Sequence, residues 1–146
     1  MPDDAQKRLI DLLVRIPLFE NLVPEECRRV LALCKQVAFF EGDVIFEIGD
    51  PGTRLIILLQ GSVTIELGNG QELARLEPID TIGEMEIASN HSRYARAVAL
   101  TDISGMIISQ NDLDILFAQD AVLGVKLLKN IVNSLAGKLA AINTKL

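Results

Sequence analysis

A chain of 146 residues with 49% apolar side chains is most simply one domain, and is too apolar for a disordered acidic tail. A net charge of −6 and the lack of any long Lys/Arg cluster oppose direct nucleic-acid binding. No stretch reaches the roughly 18 apolar residues of a membrane span, and MPDDAQKRLIDLL has no leader pattern, so a cytoplasmic protein away from the membrane is expected.

Within residues 4–18, Leu9, Ile10, Leu12, Leu13 and Ile16 fall at helical spacing, and Pro17 breaks the run. Pro24, followed by Glu25 and Glu26, predicts a second helix reaching about Lys35: proline suits a first turn, and acids favour the positive helix end. Cys27 and Cys34 lie on that expected helix. They would be roughly 10 Å apart along its axis, beyond the ~7 Å limit for a disulfide. They read as small buried apolar side chains.

From Val37 the period changes to short β-runs, punctuated by Gly42, Gly49-Asp50-Pro51-Gly52, Gly61 and Gly68-Asn69-Gly70. Val63, Ile65 and Leu67 alternate with Ser62, Thr64 and Glu66, as in a strand with one wet face. Asn69-Gly70 signals a hairpin. Strands at this spacing predict a closed sandwich or jelly roll. A Gly-Glu pair, Gly83-Glu84, closes one run, and Arg93 follows ten residues after the glycine. A last run, Ala95 to Ile108, gives way at Ser109 to a helix, with Asp112 at capping-box spacing.

The C-terminal helix carries a heptad seam. Ala121, Val125, Leu128, Val132, Leu135, Leu139, Ile142 and Leu146 are spaced 4-3-4-3-4-3-4. Leu123, Leu127 and Ile131 form a second apolar stripe. The expectation is a homodimer joined along Val125, Leu128, Val132, Leu135, Leu139 and Ile142, with the second stripe turned to the chain's own barrel. The alternative is a helix docked wholly on its own sheet.

IPLFENLVPEE, EGDVIFEIGDPGTRLIILLQGSVTI, IGEMEI…SRYARAVAL and SQNDLDIL together resemble the cyclic nucleotide-binding domain family, in its catabolite activator-like form. The likeness runs from about Pro17 to the C-terminus, and its most specific marks are Gly42, Gly49, Gly52, Gly61 and Gly83. It implies a mainly β fold: an eight-stranded β-roll or jelly roll with N-terminal helices and a long C-terminal helix. On this reading residues 1–36 hold the N-terminal helices, 37–108 the roll with a phosphate-binding cassette at 82–98, and 109–146 the C-terminal helices. The implied ligand is cAMP or cGMP, held by Gly83, Glu84, Met85, Arg93, Tyr94 and Ala95. Glu84 would accept the ribose 2′-hydroxyl, and Arg93 would pair with the phosphate.

Four positions depart from the family cassette. Glu86 stands where a small residue is usual, Ser92 replaces proline, Tyr94 replaces a small residue, and Arg96 replaces a threonine that can contact the purine. A carboxylate beside a phosphate is repulsive. Arg96 could neutralise Glu86, or Arg93 and Arg96 could share a more highly charged anion, although they lie on opposite faces of a regular strand. Glu84 and Arg93 could also bridge each other. His91 reads as a solvated loop residue, since neither another histidine nor paired cysteines accompany it.

Neither a metal site, a cofactor motif nor a nucleophile-and-base pair stands out, so an enzyme is not expected. Three roles remain open. The first is a stand-alone sensory module that relays a nucleotide-like anion through its C-terminal helix to a partner protein. The second is a degenerate, ligand-free interaction or dimerisation domain. The third is the sensory half of a transcription regulator without its DNA-binding domain.

Overall fold

The computed structural model describes residues 4–143; Leu146 at the end of the heptad pattern lies outside them. Helix α1 (Asp4–Leu13) ends four residues before Pro17, which opens a short 3-10 turn at Pro17–Phe19. Helix α2 (Pro24–Leu31) carries Cys27 on its buried side. It stops short of the expected Lys35, because Leu33 and Cys34 donate backbone hydrogen bonds only three residues back and Lys35 is recruited into a strand. Cys34 therefore sits beyond the helix, and both cysteines are free thiols.

Eight strands follow: β1 (Lys35–Phe39), β2 (Val44–Phe46), β3 (Arg54–Gln60), β4 (Val63–Glu66), β5 (Glu72–Leu76), β6 (Thr81–Ile82), β7 (Arg96–Ala99) and β8 (Ile103–Ser109). They form two antiparallel four-stranded sheets, ordered β1-β8-β3-β6 and β2-β7-β4-β5. The expected single run from Ala95 to Ile108 is two strands in different sheets, parted at residues 100–102. Helix α3 (Glu84–Ser89) lies between β6 and β7, and α4 (Gln110–Gln119) and α5 (Ala121–Asn143) complete the chain.

Strand β3 explains its own sequence. Leu55 and Ile57 pack with the helices, while Ile56 and Leu58 pack inside the roll. Burial on both faces removes the polar alternation that a half-wet strand would keep. Inside the roll, Ile56 and Leu58 meet Val63, Leu76, Ile82, Ala97 and Ile103. On the outer side, Leu13, Phe19, Cys27, Val30, Leu113, Leu123, Leu127 and Ile131 bind the helices to the sheet.

Local signals act where expected. Gly70 adopts φ +83° in the β4–β5 turn, where its N–H donates to Leu67 O at 2.9 Å. Ser109 caps α4, its hydroxyl accepting from the Asp112 N–H at 3.1 Å. The second stripe of α5, Leu123, Leu127 and Ile131, is buried against the chain's own core. Of the seam residues, Val125, Leu128, Val132 and Leu139 are exposed, and Leu135, Leu139 and Ile142 border a cavity of the roll.

Candidate functional site

The cassette turns on one glycine. Strand β6 ends at Ile82, and Gly83 turns the chain with φ +92°. A Cβ there would overlap the Arg93 guanidinium and lie 2.9 Å from Arg54 O. Only glycine combines the left-handed backbone with that approach. Helix α3 then runs to Ser89, and Asn90 at φ 56° releases the chain toward Arg93 and β7.

Glu84 is 2% exposed and faces α5, not Arg93. Its Oε1 accepts from Ser134 Oγ at 3.1 Å and from Lys138 Nζ at hydrogen-bond contact. Lys138 Nζ also donates to Thr81 O at 2.5 Å. The cassette carboxylate is therefore tied to the long C-terminal helix. The expected Glu84–Arg93 bridge is not formed, because α5 supplies both a nearer cation and a hydroxyl.

Arg93 is 4% exposed and is satisfied by Glu86. Arg93 Nη1 donates to Glu86 Oε2 at 3.3 Å and to Gly83 O at 3.5 Å, while Nη2 donates to Arg54 O at 2.7 Å. The guanidinium also lies over the Phe46 ring, 4.1 Å from its centroid. Its Nε is buried without a hydrogen-bond partner among the described residues. Burial pushes the Arg93 group below its ordinary value, and the Glu86 carboxylate opposes that shift. The pair matters because removing one partner of a buried ion pair leaves an uncompensated charge, at a cost of about 3–5 kcal/mol.

Glu86 is held in place from several sides. Its Oε1 accepts from the Tyr94 N–H at 3.4 Å. Gly52 lies so close above it that a Cβ there would overlap the Glu86 Cβ and stand 3.1 Å from its Cγ. Arg96 does not neutralise Glu86, as one expectation had it. Arg96 Nε donates instead to Glu47 Oε1 at 2.9 Å, with Glu66 Oε2 at 4.0 Å from Nη1. Alternation along β7 points it away from the cassette, so Arg93 and Arg96 do not share an anion. His91 is exposed, with Nδ1 2.7 Å from Ser92 O and its ring stacked on Tyr94 at 4.1 Å.

Two cavities border this region. One of about 280 Å³ is lined by Arg93, Phe46, Asp50, Arg54 and apolar neighbours. The other, of about 210 Å³, lies between the cassette and α5. Gly83, Glu84, Met85, Glu86, Tyr94 and Ala95 line it from the cassette side, and Leu135, Lys138, Leu139 and Ile142 from α5. Phe46 borders both. The carboxylate and the guanidinium that the sequence places in one pocket thus face different cavities.

Lys138 and Ser134 were visible in the sequence only as polar positions of α5. A signal was present, however. They continue the spacing of the buried stripe Leu127, Ile131, Ser134, Lys138. Polar residues prolonging a buried stripe require a polar group opposite them.

Residues 36–120 match the sequence profile of the cyclic nucleotide-binding domain. The chain belongs to that family. It is 34% identical over 129 residues to a cyclic AMP receptor protein of Thermus thermophilus, covering 85% of this chain and 56% of that one. Among solved structures, a cyclic nucleotide-binding domain from Methylobacillus flagellatus superimposes with a TM-score of 0.87 at 24% identity, covering 97% of this chain and 84% of that one. The regulatory subunit of a cAMP-independent protein kinase A from Trypanosoma brucei superimposes at 0.76 with 25% identity, covering 97% and 50%. The chain thus spans about half the length of the receptor protein and of the kinase subunit. No helix among the described residues is long and apolar enough to cross a membrane.

Proposed function

We propose that this chain is a single-domain cytoplasmic regulatory module, in which a nucleotide-like ligand entering the cavity between the cassette and α5 is relayed through that helix to a partner protein. The observation that carries the reading is the tie from Lys138 and Ser134 of α5 to Glu84. A ligand hydroxyl that takes Glu84 competes with Lys138 and loosens the last turns of α5. Such a ligand shifts the helix only by its differential affinity for the two positions. A hundredfold shift needs about 2.7 kcal/mol of that difference. The exposed Val125, Leu128 and Val132 would then serve a second copy of the chain, and their presentation would change with the helix.

One observation favours a second reading, a ligand-free interaction domain. Both polar anchors of the cassette already have partners within the chain: Arg93 has Glu86, and Glu84 has Lys138. A relative described as cAMP-independent shares the fold, so regulation on this scaffold does not require cAMP. Calorimetry with cAMP, cGMP and their nucleosides, paired with hydrogen exchange along α5, separates the readings. Binding with altered exchange at 134–143 supports the relay. Binding with unchanged exchange removes the relay, and no binding by any of them leaves the interaction domain.

A further inference from the structure

We infer that the cavity beneath α5 takes an uncharged, hydroxyl-bearing ring compound, of the nucleoside class, and that Glu86 permanently occupies the place of a ligand's phosphate on Arg93. This inference rests on the reading of that cavity as a ligand site, and narrows what the site accepts.

The charge lining the cavity is the first reason. Glu84 and Glu86 border it, and among the described lining residues its one cation is Lys138, already engaged by Glu84 and by Thr81 O. Arg93 does not border it. A ligand anion there would meet two carboxylates and no free cation. Ionised carboxylates only accept hydrogen bonds, so they suit ligand hydroxyls instead.

The second reason is that Glu86 is built in. Gly52 leaves its Cβ no room to retreat, the Tyr94 N–H holds one oxygen, and Arg93 holds the other. A phosphate would have to displace a buried carboxylate from its partner, and the displaced charge would have no cation waiting for it.

Size and surface agree. The remaining walls are apolar, among them Phe46, Ile65, Leu67, Leu135 and Leu139, and suit the flat faces of a ring. The volume of about 210 Å³ is below the roughly 300 Å³ at which drug-sized pockets begin, which favours the smaller, phosphate-free member of a nucleoside and nucleotide pair.

The test is calorimetry on the full chain with adenosine, guanosine and inosine against cAMP and cGMP, repeated on Glu86→Ala, Glu86→Gln and Glu86→Ala/Arg93→Ala. Glu86→Gln preserves size and one acceptor oxygen while removing the charge, which guards against misfolding of the alanine variant; circular dichroism confirms the fold of each. The expected result is micromolar binding of at least one nucleoside by the unaltered chain, with its cyclic phosphate at least tenfold weaker. Either Glu86 variant should gain at least tenfold for the cyclic phosphate, and the added Arg93→Ala should erase that gain. Tighter binding of cAMP or cGMP than of any nucleoside by the unaltered chain overturns the inference. Cyclic-phosphate binding by a Glu86 variant, with no nucleoside bound by the unaltered chain, overturns it while leaving the ligand site standing. Silence from every protein with every compound overturns both.

Discussion

Arg93 and Glu86, seven residues apart across the α3 turn, form an ion pair at 3.3 Å in which both side chains are less than a tenth exposed. The guanidinium that other cassettes would offer to a ligand is here given an anion by the same cassette. An incoming phosphate about 5 Å from Glu86 would meet roughly 3 kcal/mol of repulsion at an effective dielectric near 20.

Removing that anion should therefore destabilise the fold. Glu86→Ala leaves Arg93 buried with only carbonyl oxygens and the Phe46 ring as partners, and its loss should approach about 3 kcal/mol. For a domain of this size that is a melting temperature lower by roughly 6–12 °C. Calorimetric melting of Glu86→Ala within 2 °C of the parent chain, on the order of 0.5 kcal/mol, would show that the pair contributes nothing.

Lys138→Met should act locally. It keeps the aliphatic stem against Leu135 and Ile142 but frees Glu84 from its cation. Amide exchange at 138–143 should quicken several-fold, with residues 123–131 unchanged, because Leu123, Leu127 and Ile131 anchor that half of α5 in the core. Uniform exchange along the helix in both proteins would rule out a clamp at its end.

The α2–α5 contact sets part of the acid limit. The Glu26 carboxyl is held below its ordinary 4.5 by the hydrogen bond from Lys126 Nζ at 2.7 Å and by the Val23 N–H. Its folded value lies below its unfolded value, so its stabilisation is complete above about pH 4.5 and is lost as the pH falls through the lowered value. Urea midpoints between pH 3 and 6 should fall less steeply with acid in Glu26→Gln than in the parent. Parallel curves would count against the contribution.

Both thiols should be slow nucleophiles. Burial pushes the Cys34 thiol up to about 12, and burial also raises Cys27. At pH 8 the native chain should take up iodoacetamide at least a hundredfold more slowly than the same chain in urea, read by intact mass. Rapid native alkylation would contradict the burial of Cys27 and the half-burial of Cys34.

The dimer proposal is best tested away from the cavity. Leu135 borders the cavity beneath α5, so a charge there would disturb both cavity and seam, whereas Val132 is 62% exposed. Light scattering at tens of micromolar should give twice 16.0 kDa for the parent, and the monomer mass for Val125→Glu/Val132→Glu with an unchanged circular dichroism spectrum. A monomeric parent chain would end the proposal.

What the sequence determined by itself is whatever one segment decides. The Asn69-Gly70 turn and the Ser109 cap each depend on a few neighbouring residues, and each appears where the residues imply it. The expected wet face of β4 does not form: Thr64 is buried beside Val63, and Ile65 and Glu66 are both half-buried, because β4 lies between β5 and β7. The end of α2 was the weakest local reading, because pairing of Lys35 with Ile107 on β8 overrode helical propensity. The partners of Glu84 and Arg96 belonged to tertiary structure alone. Glu84 meets Lys138 across 54 residues and Arg96 meets Glu47 across 49, distances that only sheet register and helix docking can close. Long-range ion pairing has no period and no spacing to read, so only the folded chain decided that Glu84 is taken by Lys138, whereas the partner of Arg93 lay seven residues away in the cassette itself.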